Sequence, residues 1–412
     1  MPQVLILGAG FGGLFAALGA YRRLRRRVSL TLVDRNDHFL FTPLLYQVTS
    51  GSLAPQHVAR PLARLLPRDI RSVRATVTGI DLDARRVDTD AGALSYDFLV
   101  LALGGVPHFH GLASIERQAL TFKSLRDALR LRSHIEQRFG EAERDPSRAP
   151  ELLRTMVTGA GCTGVELAAE LHDWMHGPLL RRFPGVRRDA VGVILVEALD
   201  HLLCPMDPVL MRGALRKLLA RSIDVRLAHH VTDAGAGLVK IRTGSEEVQM
   251  PCGTIVWTAG IRPNPVTARL PVATGPGGRT PVDELLRVPG HPEVLAIGDA
   301  ALCREPDGQA VPATAQAAVQ QAAAAGGVLQ ALVDGAIPSP FRYKRRGEVL
   351  GLGRLGALAE AFGLRFMGLP AWLIARTVHL ARLPDWGDRA AVAWESAKDL
   401  VGVTADRGSA PH

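Results

Sequence analysis

The sequence predicts an α/β protein in which two parallel-sheet domains follow one plan, with a small C-terminal α+β segment. Three observations support this fold class. The length of 412 residues is roughly two to three times that of a typical domain. Two glycine-rich turns each follow an apolar run, and the next apolar run ends in an acid both times. With 47% hydrophobic and 22% charged residues, the composition excludes extended disorder.

The first unit begins at residue 4. The apolar run 4–7 leads into Gly8, Gly10 and Gly13 in the spacing GxGxxG, and a helical stretch follows. About 20 residues further on, the apolar run 29–33 ends at Asp34. In a βαβ unit such glycines let backbone N–H groups approach a pyrophosphate, and the acid accepts ribose hydroxyls. This pattern predicts a dinucleotide site.

The second unit repeats the plan. The run 155–158 leads into Gly159, Gly161 and Gly164, and the run 193–196 ends at Glu197. We interpret the intervening stretch 178–188 as an inserted loop. No arginine directly follows Glu197, and its carboxylate repels a 2′-phosphate, so this unit favours NADH over NADPH.

The remaining elements follow in order. We expect short antiparallel strands at 75–80 and 86–89, a buried strand at 97–104, and an amphipathic helix at 123–143 with Leu125, Leu129 and Phe139 on its apolar face. A loop is expected at 144–150, buried strands at 255–260 and 294–300, and an alanine-rich helix at 314–332. These elements predict a first nucleotide-binding domain at 1–115 and 256–336, a second at 116–255, and a C-terminal segment at 337–412.

A third GxGxxG match, at residues 351–356, lacks a following helix, strand and acid. We interpret it as a glycine-rich strand or turn.

The C-terminal segment contains an amphipathic stretch at 370–383. On a helical wheel, Arg376, His379 and Arg382 share one arc, while Leu373, Ile374, Val378 and Leu380 lie on the other side. This pattern suits an interfacial helix with arginines in the lipid headgroup region. It suits equally a helix that closes a core or a dimer interface.

Charge and cysteine content narrow the function classes. The net charge of +9 is compatible with nucleotides, anionic lipid or nucleic acid. The arginine-rich run 22–27 is expected to be a solvated helix end, so no nucleic-acid partner is predicted. The four cysteines, Cys162, Cys204, Cys252 and Cys303, form no CxxC pair, which disfavours a disulfide framework or a zinc ribbon. There is no signal-peptide pattern and no apolar run near the roughly 18 residues needed to span a bilayer.

Four further stretches carry a family resemblance: 37–48 (DHFLFTPLLYQV), 257–261 (WTAGI), 297–300 (IGDA) and 312–321 (PATAQAAVQQ). With them the chain resembles the two-dinucleotide-binding-domain flavoproteins, and specifically type II NADH dehydrogenases (NADH:quinone oxidoreductases). The resemblance implies a glutathione-reductase-like fold with FAD on the first Rossmann-like domain and NADH on the second. It implies neither a metal nor an iron–sulfur centre.

The resemblance also implies site residues. The cofactor-binding set is Gly8, Gly10, Phe11, Gly12, Gly13, Asp34, Arg35, Thr42, Val77, Gly104, Asp299, Ala315, Gln316, Gly159, Gly161, Gly164, Glu197 and Gly260. Glu166 corresponds to a carboxylate near the nicotinamide–flavin junction, although it also suits a helix-dipole role. Gln316 and Gln320 lie four apart on one helix face, where an amide can hydrogen-bond a quinone carbonyl. They also suit a solvated helix face.

The absence of cysteine from 39–47 disfavours disulfide-reductase chemistry, and its absence after Cys303 disfavours sulfide oxidation. The function that the resemblance implies is a non-proton-pumping, FAD-dependent NADH:quinone oxidoreductase of the respiratory chain, peripheral on the cytoplasmic face of the cell membrane. The sequence is also compatible with a homodimer. The alternatives are a soluble NADH-dependent reductase for a redox protein or specialised metabolite, and a low-turnover nucleotide-sensing flavoprotein.

Overall fold

A computed structural model of the chain describes residues 1–203, 206–235, 237–361, 363–382 and 392–394. The chain divides into two compact units. Unit 1 comprises residues 1–40, 59–106 and 261–345, and unit 2 comprises 41–58, 107–260 and 346–412. Cys204, Leu383 and the side chain of Arg382 lie outside the described part.

The described strands are β1 (Gln3–Leu7), β2 (Ser29–Asp34), β3 (His38–Leu40), β4 (Ala59–Pro61), β5 (Ile70–Arg74), β6 (Val77–Asp81), β7 (Arg86–Thr89), β8 (Gly92–Ser95), β9 (Phe98–Leu101), β10 (Gly105–Pro107), β11 (Leu120–Thr121), β12 (Arg154–Thr158), β13 (Gly192–Val196), β14 (Asp224–Arg226), β15 (His230–Gly235), β16 (Leu238–Thr243), β17 (Glu246–Pro251), β18 (Thr254–Trp257), β19 (Ile261–Pro263), β20 (Thr280–Pro281), β21 (Arg287–Val288), β22 (His291–Ala296), β23 (Ala301–Leu302), β24 (Glu348–Gly351), β25 (Ala357–Ala361) and β26 (Leu364–Met367). The described α-helices are α1 (Phe11–Leu24), α2 (Leu45–Ser50), α3 (Leu62–Leu65), α4 (Ala113–Gln118), α5 (Leu125–Arg144), α6 (Ala149–Leu152), α7 (Cys162–Trp174), α8 (Leu180–Arg182), α9 (Pro208–Leu219), α10 (Ala315–Asp334) and α11 (Leu369–Arg382).

Unit 1 is built on a six-stranded sheet in the order β21-β22-β9-β1-β2-β5. Neighbouring strands run parallel except at the β21–β22 edge. The apolar residues 4–7 of β1 are all buried, as expected for a central parallel strand covered on both faces. The carboxyl ends of β22, β9, β1 and β2 consequently lie side by side, at the edge where open α/β sheets bind ligands.

Helices α1 and α10 pack against each other in unit 1. Small residues allow the close approach, because a β-carbon at Gly326 would lie 3.3 Å from the Gly19 carbonyl carbon. Helix α10 begins after Thr314, whose hydroxyl accepts a hydrogen bond from the Ala317 N–H. This packing fixes where the predicted glutamines of α10 lie within unit 1.

Unit 2 contains a second parallel sheet, in the order β11-β18-β12-β13-β14. The antiparallel strands β15, β16 and β17 form a meander whose apolar residues share a core with this sheet. Met156, Ile194 and Trp257 of the sheet contribute to that core. The carboxyl ends of β18, β12 and β13 again lie side by side, which repeats the arrangement of unit 1.

The described C-terminal part forms an antiparallel sheet, β24-β25-β26, followed by α11. Helix α11 packs on all three strands, and α9 packs on β25 and β26. This sheet and α11 belong to unit 2, together with the second parallel sheet. A role of the segment 337–412 in membrane association or at an interface stays a prediction. The short stretch 41–58, with α2, joins the same unit because α2 packs against α5 and α7.

Two local predictions differ from the structure. The stretch 178–188 is predicted as an inserted loop, but helical turns continue through the π-helix Met175–Leu179 and α8, so that the irregular part is 183–187. Leu129, predicted on the apolar face of α5, is 39% exposed, whereas Phe139 is fully buried.

Candidate functional site

Four predicted residues meet at the carboxyl edge of the unit 1 sheet. Gly8 follows β1, Asp34 ends β2, Gly104 follows β9, and Asp299 follows β22. Main-chain hydrogen bonds continue the parallel register past the strands, from the Ala102 N–H to the Leu7 carbonyl. The fold therefore brings together the first glycine loop and both acids that the resemblance assigns to FAD.

Asp34 holds the glycine loop in place. Its Oδ2 accepts a hydrogen bond from the Ala9 N–H at 2.6 Å, and its Oδ1 accepts one from the Asn36 N–H at 2.7 Å. The Asn36 side-chain amide also donates to Oδ1, at 3.1 Å. A carboxylate has about four lone-pair positions, so these three bonds leave capacity for one more donor, such as a ribose hydroxyl. The acid is thus both a support for the loop and a candidate ligand.

Glu197 repeats this arrangement in unit 2. Its Oε2 accepts from the Ala160 N–H at 2.6 Å, and its Oε1 accepts from the Leu199 N–H at 3.1 Å. The Thr258 hydroxyl, whose role the sequence did not predict, donates to the Thr158 and Gly159 carbonyls at 2.7 and 2.9 Å. Gly159, Gly161, Gly164, Glu197 and Gly260 therefore lie at one edge of the second sheet.

The glycines of each loop divide into two kinds. At Gly13 a β-carbon would lie 1.6 Å from the Gly8 carbonyl oxygen, and at Gly164 it would lie 1.8 Å from that of Gly159. Gly8, with φ +96°, and Gly159, with φ +98°, are likewise required by backbone contacts. The protein's own packing therefore requires these four glycines.

Gly10 and Gly161 are different, because a β-carbon at either position meets no atom within 4 Å. Their backbones are extended, with φ −74° and −68°, which any residue adopts. Each lies at the N-terminus of its helix, where unpaired N–H groups and the helix dipole favour a phosphate. The space beside these two glycines is open in both units, and it is where the sequence predicts a dinucleotide pyrophosphate.

The other predicted cofactor residues divide between the units. Unit 1 holds Phe11, Gly12, Arg35, Val77, Ala315 and Gln316, and unit 2 holds Thr42. The Phe11 ring meets Phe39 edge-on at 5.1 Å, and Arg35 is exposed. Val77 begins β6, and Ala315 opens α10. Their contacts with a cofactor remain predictions.

The first two turns of helix α10 contain three glutamines, and one of them, Gln321, was not predicted from the sequence to belong to the site. Gln321 is 3% exposed, and its Oε1 accepts from the Gly298 N–H at 2.7 Å, next to Asp299. Gln316 Oε1 accepts from the Tyr343 hydroxyl at 3.1 Å. The Gln320 Nε2 group donates to the Lys344 carbonyl at 2.9 Å, and Gln320 Oε1 accepts from the Lys344 N–H at 3.0 Å. An acceptor role for Gln320 remains a prediction that would require this contact to open.

Glu166 lies on α7, just past the second glycine loop, and is 9% exposed. Burial raises the pKa of its carboxyl to about 8, and the negative charge of the nearby Glu170 adds to the rise. The Gly351 N–H, which donates a hydrogen bond to Oε1 at 2.9 Å, lowers the pKa and so opposes the rise. The carboxyl is therefore mostly protonated at neutral pH. Such a group is a proton donor rather than a fixed charge.

We expect Glu166→Gln to change how unfolding depends on pH. Between the ordinary pKa of 4.5 and about 8, folded Glu166 keeps a proton that the unfolded chain releases. Stability of the wild type then falls as pH rises, by up to about 1.4 kcal/mol per pH unit. Glutamine keeps the shape but has no proton to lose, so the variant should exceed wild type most at pH 8. Urea unfolding at pH 5, 6.5 and 8 measures this, and a pH-independent difference would contradict it.

Comparisons with known proteins agree with this geometry. Residues 2–322 match the family model described as pyridine nucleotide-disulphide oxidoreductase. The type II NADH:quinone oxidoreductase Ndh of Mycobacterium tuberculosis is 33% identical over 398 residues, covering 92% of this chain and 84% of that protein. The demethylphylloquinone reductase NdbB of Synechocystis is 32% identical over 395 residues, covering 93% of each chain.

A solved structure supports the fold independently. The structure of NDH2 from Plasmodium falciparum in complex with NADH superposes with a TM-score of 0.87, covering 96% of this chain and 98% of that one. At 18% sequence identity this similarity establishes the fold alone.

Proposed function

The chain belongs to the pyridine nucleotide-disulphide oxidoreductase family and, within it, to the type II NADH:quinone oxidoreductases, and on this premise we infer that it is an FAD-dependent enzyme that oxidises NADH and reduces a quinone. The net reaction takes NADH, one proton and a quinone to NAD⁺ and a hydroquinone. Bound FAD supplies a centre that accepts a hydride equivalent and passes two electrons on. None of the described helices is long and apolar enough to cross a bilayer.

One observation carries the inference in this structure: the same loop occurs twice, and each loop has a glycine that no protein contact requires. Gly10 and Gly161 occupy equivalent places, and Asp34 and Glu197 hold the two loops through equivalent amides. Gly8, Gly10, Gly13, Asp34 and Asp299 would hold FAD. The unit 2 loop, which ends at the Glu197 carboxylate, would hold NADH in preference to NADPH.

The acceptor side is proposed on α10. Gln316 lies in the first turn of that helix and shares a hydrogen bond with Tyr343. We expect its amide to bond a quinone carbonyl, a contact that contributes about 0.5–1.5 kcal/mol. Gln316→Leu then slows quinone reduction roughly three- to tenfold and leaves the NADH step nearly unchanged.

Anaerobic stopped-flow separates the two half-reactions and tests the function. Purified protein should be yellow, be bleached by NADH much faster than by NADPH, and be reoxidised by a short-chain quinone. Reoxidation by a redox-protein partner alone would favour the soluble reductase, and a long-lived reduced complex would favour a sensor. If Gln316→Leu slows bleaching by NADH instead, the glutamine lies on the donor side.

We further propose peripheral association with the cytoplasmic face of the cell membrane, where NADH is produced. The exposed leucines of α11 support it. Leu369 and Leu373 are 48% and 51% exposed, while His379 is buried and Arg376 bonds Gln47 inside unit 2. Of the predicted apolar arc, Leu373 is exposed and Ile374 packs against a core cluster, and Leu364 of β26 is also exposed.

Changing Leu369 and Leu373 together to serine should weaken vesicle binding at least about tenfold, because inserting two half-exposed leucines contributes roughly 2 kcal/mol. Flotation with vesicles of anionic and neutral lipid measures it. Val248→Ser, at a similarly exposed residue of β17, is the matched control. A lipid-independent fall in self-association would assign the leucines to a homodimer interface instead.

A further inference from the structure

A buried polar cluster joins three helices of unit 2. Tyr46 and Gln47 of α2, Glu166 of α7, and Arg376 and His379 of α11 make up what we call the Tyr46 cluster. All except Arg376 are at most 9% exposed. Polar groups buried this deeply are destabilising unless they are hydrogen-bonded, so their grouping calls for a physical explanation.

A chain of contacts runs through the cluster. Arg376 Nη1 donates to Gln47 Oε1 at 3.2 Å, and Gln47 Nε2 donates to the Tyr46 hydroxyl at 3.5 Å. Arg376 lies over the Trp372 ring, at 5.1 Å from its centre. The accepting Tyr46 oxygen keeps its own proton for another partner, because burial and the nearby Glu166 raise the pKa of this hydroxyl well above its usual range.

Gly351 brings that hydroxyl next to the carboxyl. A β-carbon at Gly351 would lie 2.5 Å from the Tyr46 hydroxyl oxygen and 3.6 Å from Glu166 Oε1. Gly351 begins the third GxGxxG match, which the nucleotide sites do not use. Because Gly351 has no side chain, the β24 main chain can approach both the Tyr46 hydroxyl oxygen and Glu166 Oε1. The Gly351 N–H donates a hydrogen bond to that carboxyl.

The same glycines line a small cavity. Tyr46, Gln47, Arg376 and His379 meet Gly351, Gly353 and Gly356 around a volume of about 20 Å³. A water molecule needs roughly 10–15 Å³ measured in this way, together with two to four polar partners. The cavity therefore has room for about one water, and both Tyr46 and His379 line it.

We propose that the Tyr46 cluster is the proton-entry path of quinone reduction: once the Glu166 carboxyl has given up its proton, a proton passes from the His379 imidazole through one cavity water and the Tyr46 hydroxyl to the Glu166 carboxylate and restores the protonated form. The proposal rests on the proposed function, since that reaction takes up one proton from solvent for each NADH. Each step breaks one N–H or O–H bond and forms another, with no change in oxidation state. Gln47 and Arg376 are positioning residues that orient the hydroxyl.

Other charged groups lie around this path. Glu170, four residues beyond Glu166, accepts hydrogen bonds from the Ser50 and Ser52 hydroxyls. The strands packed against α11 carry Glu348, Glu360 and Arg365. The Phe41 ring meets His379 edge-on at 6.2 Å. The tests therefore change single atoms of the path and leave these charges in place.

Tyr46→Phe removes only the hydroxyl and is the central test. We expect bleaching by NADH to stay within twofold of wild type, whereas reoxidation by a short-chain quinone slows at least tenfold and shows a larger solvent isotope effect. Tyr96→Phe is the matched control, because Tyr96 is a buried tyrosine of unit 1 whose hydroxyl has no hydrogen-bond partner in the described part of the chain.

A second measurement needs no turnover. In the resting, FAD-loaded protein, the infrared carbonyl band that Glu166→Gln removes reports the protonated carboxyl. After mixing with D₂O, its shift should be slower in Tyr46→Phe than in wild type or Tyr96→Phe. His379→Ala should slow it as well, and added imidazole should restore the rate. The restoration distinguishes proton transfer from a structural role of the ring.

If Tyr46→Phe matches Tyr96→Phe in both exchange and isotope effect, the path is overturned. If His379→Ala exchanges as fast as wild type, the entry point is wrong, and the proposal falls. Absence of quinone reduction in the wild type would overturn the proposed function instead, and the resting-state exchange measurement would still decide the path.

Discussion

Gly10→Val is expected to give a folded but colourless protein, because the valine side chain would fill the space that we propose for the FAD pyrophosphate. A β-carbon there meets no protein atom within 4 Å, and the extended backbone suits a β-branched residue. The fold has no reason to fail, whereas flavin binding loses its closest phosphate contact. We expect affinity to fall at least about a hundredfold, roughly 3 kcal/mol.

Visible flavin absorbance per protein, together with circular dichroism and thermal unfolding, checks this result. Gly13→Val is the matched contrast, since its side chain would collide with the Gly8 carbonyl and disrupt the loop itself. A yellow Gly10→Val protein would show that the pyrophosphate lies elsewhere.

Gly161→Val should give the complementary result: a protein as yellow as wild type that NADH fails to bleach. The equivalent space in unit 2 is open, and the backbone is again extended. If this helix N-terminus holds the pyrophosphate of NADH, the rate of flavin reduction by NADH should fall by a factor of about a hundred or more, and the other half-reaction should be unchanged. Dithionite should still bleach the variant, and a quinone should reoxidise it at the wild-type rate.

Stopped-flow with NADH and dithionite in parallel separates a blocked nucleotide site from a damaged flavin site. Normal bleaching by NADH would remove Gly161 from the cofactor site. Loss of dithionite bleaching as well would indicate damage beyond the loop, which the Gly164→Val variant is expected to show.

The two nucleotide units could be predicted from sequence because their determinants are local. A glycine spacing, the strand before it and an acid after the next strand lie within about 40 residues. The structure adds two contacts that the motif spacing does not predict. The carboxylates of Asp34 and Glu197 accept hydrogen bonds from the main-chain N–H groups of Ala9 and Ala160 in the glycine loops.

Helix α11 shows the limit of such reasoning. A helical wheel shows that α11 has a polar and an apolar arc, but it does not show which arc faces the interior of the protein. Burying the arc with Arg376 and His379 requires partners far away in the chain, and Gln47 is 329 residues from Arg376. Gln321 was missed for a similar reason, since its partner is the main chain of Gly298. Polar contacts between distant segments leave no periodic signal.

If Glu197 binds the ribose of NADH as we propose, its support of the glycine loop constrains how this protein could change its coenzyme. Replacing the carboxylate to admit a 2′-phosphate would also release the Ala160 and Leu199 amides, so a single substitution would loosen the loop that it is meant to adapt. An evolutionary or engineered route to NADPH therefore has to install a substitute acceptor for the Ala160 N–H first. A change in coenzyme preference is then expected to arise in pairs of substitutions, with the stabilising one preceding the selective one.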